Sequence, residues 1–289
     1  MLKGYFANSS LSAKLFQLIG VFFILMLITL LVISLFFQND LTEIGNLKIA
    51  QLIQSVGMFV IPPLIMAYLW SSKPLSYLQL NRLPNTKSTL YAIVIMLIAI
   101  PFINLLAQLN QEISLPAFMA TIEAQMKAAE LQIAELTEKM LNVKSMDALA
   151  FNILLIAIIP AIGEELFFRG IIQKILSERR NIHLAIWISA FIFSAIHLQF
   201  YGFFPRLLLG AFLGYLLFWS GNLWLPVIAH FTNNAMAVVF YYLKFNGVQV
   251  FDFETIGSGN TWWVGVISGI LVIIGVYFIR KQFLSEKRV

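Results

Sequence analysis

The sequence predicts an all-α, polytopic transmembrane helical bundle of about eight spans, with an amphipathic helix between the third and fourth. Three observations carry that prediction. Of the 289 residues, 60% are hydrophobic and 11% charged, and the mean hydropathy is +0.85, outside the range of water-soluble domains. The apolar residues gather in eight long runs rather than in an alternating strand pattern. One segment between the third and fourth runs combines helical periodicity with abundant charge.

The first run, about residues 15–37, follows Lys3 and Lys14 and shows no small-residue cleavage site, so it reads as a retained span and not as a signal peptide. Further runs lie at about 50–70, 88–109, 148–168, 184–198, 206–220, 223–243 and 261–279. Each is near the roughly 17–25 residues that carry a helix across about 30 Å of hydrocarbon, the fifth and sixth being the shortest. Eight crossings put both termini on one side. Thirteen Lys and Arg, Lys287 and Arg288 among them, fall on that side, against Lys48, Lys127, Lys139, Lys144, Arg206 and Lys244 on the other. The positive-inside tendency then expects cytoplasmic termini. The net charge of +5 is spread over the run ends, which makes it a topology signal and not a nucleic-acid surface. There is no cysteine, so disulfides, thiolate nucleophiles and cysteine metal sites are excluded together. The chain divides into three spans plus the amphipathic helix over 1–147, a helical core over 148–244, and a last span with a cytoplasmic tail over 245–289.

Over about 116–144, the residues Met119, Ile122, Met126, Ala129, Ile133, Leu136, Met140 and Val143 recur at steps of three and four, with Glu123/Lys127 and Glu135/Lys139 on the polar side. Such a helix lies on the outer membrane face, in contact with lipid, or packs on the bundle. A partner helix is the competing use of a methionine-rich seam.

Polar residues inside the runs are few, and each ionisable one costs about 2.5–3.5 kcal/mol at the centre of a span. Three stretches hold them: Glu164-Glu165-Leu-Phe-Phe-Arg169, Phe193-Ser-Ala-Ile-His197 and His230-Phe-Thr-Asn233-Asn234. Glu165 and Arg169 are four apart, in the favourable order for an ion pair. Glu164 is turned about 100° away, so a self-satisfied pair leaves it over. A lone intramembrane histidine most often makes an interhelical hydrogen bond, but two of them close to a spare glutamate weaken that explanation. His230 and Asn234 share a helix face. If the fourth run turns back at Arg180-Asn181, an antiparallel return sets Glu164 and His197 at one height, and His183 becomes a turn or interface residue. Pro160 and Pro226 each stand four residues before Glu164 and His230, where a proline is expected to free a carbonyl and kink its helix. The pairs Gly210/Gly214 and Gly265/Gly269 suit close helix packing.

Together, Glu-Glu-x-x-x-Arg, Phe-x-x-x-His and His-x-x-x-Asn on successive spans resemble the CAAX protease and bacteriocin-processing family of intramembrane endopeptidases, over roughly residues 148–244. The resemblance implies hydrolysis of a peptide bond. Glu164 matches the general base that activates water, with His197 as its partner. His230 and Asn234 match the pair that stabilises the oxyanion, and Glu165 with Arg169 the positions of an orienting ion pair. Two chemistries stay open: no cofactor at all, or a zinc ion held by Glu164, His197 and His230 with water at the fourth position. The lack of an HExxH helix leans toward the first. The partners expected are a peptide or membrane-protein substrate and membrane lipid, with no nucleic acid. The expected location is a bacterial inner membrane, with cleavage near its cytoplasmic side. A transporter, or a catalytically silent binding or scaffold protein, would use the same polar cluster differently; the broken-helix repeat that marks many transporters has no second copy here.

Overall fold

The computed structural model describes residues 2–37, 40–248 and 252–286, and the described residues contain helices and no strand. Lys287 and Arg288, counted above among the bases on the terminal side, lie outside them. Every apolar run forms a helix. In order these are α1 Leu11–Phe37, α2 Ile44–Trp70, α3 Thr86–Gln111, the amphipathic α4 Ala120–Leu141, α5 Met146–Ser177, α6 Ile182–Ala195, α7 Phe203–Ser220, α8 Trp224–Phe245 and α9 Trp262–Glu286. The stretches of α1, α2, α3, α5, α7 and α9 are long and apolar enough to cross a membrane. α6 has 14 residues, about 21 Å at 1.5 Å per residue, which is short of the hydrocarbon thickness. α8 has the length, but His230, Thr232, Asn233 and Asn234 interrupt its apolar surface.

The exterior is that of a chain solvated by lipid, and the protein is a multi-pass membrane protein. Phe16, Leu31 and Phe36 point outward, whereas Lys14, Thr29, Lys48 and Ser268 are buried. That is the inverse of a water-soluble domain.

Side chains fix which helix ends lie together. Trp70 at the end of α2 donates to Gln17 in α1 (2.7 Å), Lys14 pairs with Glu178 after α5 (2.6 Å), and Gln282 in the last turns of α9 donates to Ser88 at the start of α3 (3.0 Å). At the opposite end, Asn110 in α3 binds the Phe200 carbonyl (3.0 Å) and the Phe204 N–H (2.9 Å), and Asn246 donates to the Val143 carbonyl (3.1 Å). The eight helices therefore alternate in direction. Both described chain ends lie at one end of the bundle and α4 at the other. Asn85, Ser145 and Asn181 cap α3, α5 and α6, the last at the turn that the sequence places at Arg180-Asn181. His183 is an interface residue, its Nδ1 2.9 Å from the Tyr215 hydroxyl.

The prolines and glycines have particular work. Pro101 interrupts α3, and Ser268 of α9 bridges the gap, accepting from the Phe102 N–H (3.2 Å) and donating to the Ile98 carbonyl. Pro226 departs from expectation. It is the third residue of α8, in the first turn, where a backbone N–H would have no helical acceptor, so it causes no kink. Gly210 and Gly214 bring α7 against α5 and α6: a Cβ on Gly214 would stand 2.7 Å from Gln173 Oε1 and 2.9 Å from Ile186 Cγ2. In α4 the pattern is only partly realised. Glu123 pairs with Lys127 (2.7 Å), which holds its carboxyl below the usual carboxylate range, whereas Glu135 and Lys139 form no pair. Ile122, Ile133 and Leu136 stay exposed, and the helix is tied to the bundle by its acids, through Glu123 to the Tyr201 hydroxyl (3.2 Å) and Glu130 to the Tyr201 N–H (3.1 Å).

Two measurements check this arrangement. Because the chain lacks cysteine, single cysteines at the exposed Leu131 and Lys281 should react with an impermeant maleimide from opposite sides of the membrane; labelling of both from one side rules out the alternation. Gly214→Val should lower stability in detergent by about 1–3 kcal/mol through overpacking, and an unchanged melting temperature would show that α7 does not approach so closely.

Candidate active site

α5 carries the first motif, and its geometry changes there. The helix widens to π turns over Ile153–Ile158 and again over Glu165–Gln173, and every residue of the second π segment is buried. Single π turns inside α-helices often mark functional positions, since they rotate side chains out of the regular 3.6-residue stagger. Within this segment Arg169 Nη1 donates to Glu165 Oε1 (2.8 Å), with both side chains at most 1% exposed. Arg169 Nη2 donates to the Gly210 carbonyl (2.8 Å), and one turn on, Gln173 Nε2 donates to the Gly214 carbonyl (3.1 Å). The Phe193 ring covers the guanidinium at 4.7 Å. Gly210 and Gly214 thus do more than pack: without side chains, they present their carbonyls to the polar stripe of α5.

Glu165 has a second partner that the spacing did not reveal. Its Oε1 is also 2.9 Å from His230 Nδ1 on α8. Glu165 Oε1 accepts from the Arg169 guanidinium, and with the carboxylate oxygen as acceptor His230 Nδ1 is the donor in this pair. The other ring nitrogen, Nε2, stands 3.8 Å from Glu164 Oε2. The two glutamates are therefore unlike. Glu165 is fully buried and takes both of its contacts at Oε1, while its Oε2 has no hydrogen-bond partner among the described residues, whereas Glu164 keeps 17% of its side chain exposed and faces an imidazole.

His197 lies two residues beyond the end of α6. Its Nδ1 donates to the Phe193 carbonyl (2.8 Å), which leaves Nε2 as an acceptor. Phe193 meets both imidazoles edge-on, at 5.2 Å from His197 and 6.0 Å from His230. The antiparallel return has the expected register, for the Phe168 and Phe193 rings are 5.2 Å apart and Ser189 Oγ donates to the Phe168 carbonyl (3.0 Å). Ser194 is no nucleophile, since its hydroxyl donates to the Phe203 carbonyl (2.7 Å).

Asn234 reaches α5 at the place that Pro160 prepares. Ile156, four residues before that proline, loses its ordinary helical donor, and its carbonyl accepts from Asn234 Nδ2 (3.3 Å). Asn233 Nδ2 donates to Asn234 Oδ1 (3.2 Å) and so orients the amide. Contacts thus join Glu164, Glu165, Arg169 and His230 directly, while His197 approaches through Phe193 and Asn234 through α5. Asn233, the Gly210 carbonyl and Arg206 went unassigned in the sequence. Arg206 is within electrostatic reach of Glu164 and His197, yet a basic residue at the start of an apolar run ordinarily signals topology, so nothing local set it apart.

Among the described residues, no three His, Asp or Glu side chains stand together as a set able to hold a metal ion. As placed, Glu164, His197 and His230 do not form such a set, and no chemical step below is routed through a metal.

Comparison with known proteins bears on this geometry. Residues 146–236 match the family model described as type II CAAX prenyl endopeptidase Rce1-like. The motif resemblance holds over that stretch. The matched segment contains Glu164, Glu165, Arg169, His197, His230 and Asn234. Over 89 residues the chain is 30% identical to the uncharacterized protein YpbD of Bacillus subtilis strain 168, a stretch that is 29% of this chain. It spans 43% of that relative's length. No solved structure matches.

The buried pair yields a stability test. Removing one partner leaves an uncompensated charge, so Arg169→Met should cost about 3–5 kcal/mol in detergent unfolding, and the double variant Glu165→Gln, Arg169→Met should recover much of that loss. Additive losses would show that the two side chains do not interact.

Proposed function

We propose that the protein is an intramembrane endopeptidase that hydrolyses a peptide bond with a water activated by Glu164 and His197 and an oxyanion site made by His230 and Asn234. The observation that carries this reading is the division of labour between adjacent carboxylates. Arg169 and His230 occupy Glu165, and Glu164 is left at the imidazole with part of its side chain accessible. A general base must be reachable by the water it activates, and of the two carboxylates Glu164 is the one with accessible side-chain surface.

In this mechanism Glu164 takes a proton from water while the hydroxide oxygen attacks the scissile carbonyl carbon. His197 Nε2, an acceptor, holds the second water hydrogen. The carbonyl oxygen becomes an oxyanion, and His230 Nε2–H and the Asn234 Nδ2–H not bound to Ile156 donate to it. Glu165 supports a protonated His230 from the opposite nitrogen, since an ionised carboxylate stabilises the imidazolium that makes Nε2 a donor. Collapse breaks the C–N bond, and Glu164 returns the proton to the leaving amine. Each good oxyanion donor is worth about 3–4 kcal/mol in the transition state.

The substrate is a peptide or membrane-protein segment, and the reaction is proposed to need no metal. With cytoplasmic termini, the cavity beside His197 lies at the outer end of the bundle, because its lining comes from α4 and from the ends of α3 and α8 opposite the termini. We propose a cut at the end opposite the termini.

The purified protein, offered a peptide library in detergent, should cleave, and Glu164→Gln should lower turnover by about 10²–10⁴-fold. His230→Ala should lower it by about 10²–10³-fold. Equal cleavage by wild type and Glu164→Gln would remove Glu164 from the mechanism. Activity that a chelator abolishes and zinc restores would replace the metal-free reading.

A further inference from the structure

Arg206 is a cation in a costly place. It lies in the first turns of α7, where the helix dipole disfavours positive charge, yet the fold builds a seat for it. Its Nε donates to the Gly202 carbonyl (3.1 Å), Nη1 to Gln199 Oε1 (2.8 Å) and Nη2 to the Gln199 carbonyl (3.4 Å). A Cβ on residue 202 would fall 2.0 Å from Nη2, so a side chain there would shift the guanidinium from this position. Leu198, with a left-handed φ of 53°, turns the chain from His197 into this seat. Such a conformation is strained for a branched side chain and needs a surrounding structure that enforces it.

All three acceptors are neutral oxygens. Among the described residues no carboxylate comes within ion-pair distance of Arg206, and two of its five N–H groups are left over. The side chain borders a cavity of about 340 Å³ that Glu130, Thr137, Gln199, Tyr201 and Tyr241 also line. That volume is at the lower end of the roughly 300–1,000 Å³ typical of ligand pockets. Gln199, which anchors Arg206 and lines the cavity, is two residues along the chain from His197.

We infer that Arg206 is a specificity residue that binds a carboxylate of the substrate peptide, near the scissile bond, in the cavity beneath α4. The inference rests on the endopeptidase reading and adds the chemical class of its substrate. A guanidinium fork matches a carboxylate better than any neutral peptide group. The carboxylate is an acidic side chain or a free C-terminus. Glu130 is the acid on the opposite wall; it accepts the Tyr201 N–H, and its charge competes with the substrate's.

The test uses the full-length protein and three peptides of one sequence: an acidic residue beside the scissile bond with an amidated end, a neutral residue with a free C-terminus, and a neutral residue with an amidated end. Wild type should favour one or both carboxylated peptides by about 10–100-fold, chiefly through KM, and the arm that gains identifies the source. Arg206→Gln should bring that ratio close to one and Arg206→Lys should keep part of it. The same three peptides are bound to Glu164→Gln protein and followed by fluorescence anisotropy, which reads the preference without turnover. Preferential binding without any cleavage by wild type sinks the endopeptidase reading and leaves Arg206 as the carboxylate site. Equal binding of the three peptides, or a preference that survives Arg206→Gln, overturns the inference. If Arg206→Gln does not fold, Glu130→Gln decides, because the preference should rise when the competing charge is removed; an unchanged or smaller preference counts against Arg206.

Discussion

Everything around the candidate site depends on the buried chain from Arg169 through Glu165 to His230. Three ionisable groups inside an apolar bundle are tolerable only when each finds a partner, and here none is left to lipid: the guanidinium holds Glu165 and the Gly210 carbonyl, and the carboxylate holds the guanidinium and the imidazole. Several features of the fold serve this chain. The π turns of α5 place Glu165, Arg169 and Gln173 toward α7 and α8, and the glycines of α7 expose carbonyls that a bulkier residue would hide.

The same chain separates two neighbouring glutamates by chemistry. Adjacent carboxylates of equal environment would share one role or repel one another. Here one is buried and accepts from both Arg169 and His230 at its Oε1, and the other is left with a single, longer approach to His230 Nε2. The result is a supported imidazole next to a partly accessible carboxylate, the arrangement on which the proposed water activation rests. The shortness of α6 completes the arrangement. The helix ends after 14 residues, two before His197, and the connection through Leu198, Gln199 and Gly202 then holds Arg206.

The helical bundle, its turn at Arg180-Asn181, the amphipathic helix and the Glu165–Arg169 pair were all legible in the sequence, because each depends on contacts within a few residues or on the lipid solvent. The cost of polar groups in hydrocarbon made the three motif stretches stand out. Other features were not legible. Pro226 looked like a kink because its distance to His230 copied that of Pro160 to Glu164, but a proline's effect depends on where its helix begins. In α4 the acids, which seemed to belong to a solvated face, proved to be the attachment to Tyr201.

What the sequence determined by itself was thus the fold class, the helix boundaries and the short list of polar residues a membrane interior would not hold without cause. Local periodicity and the energetics of transfer into lipid are properties of the chain alone, so they can be read from it. Only the tertiary structure decided that His230 completes the Glu165 pair, that Asn234 takes up the carbonyl left by Pro160, and that Arg206 stands without an acid beside a cavity next to His197. Those facts depend on which helices are neighbours and how each is rotated. Hydrogen bonds and ion pairs act over a few ångströms, and residues 41 or 65 positions apart come that close only after the bundle has packed.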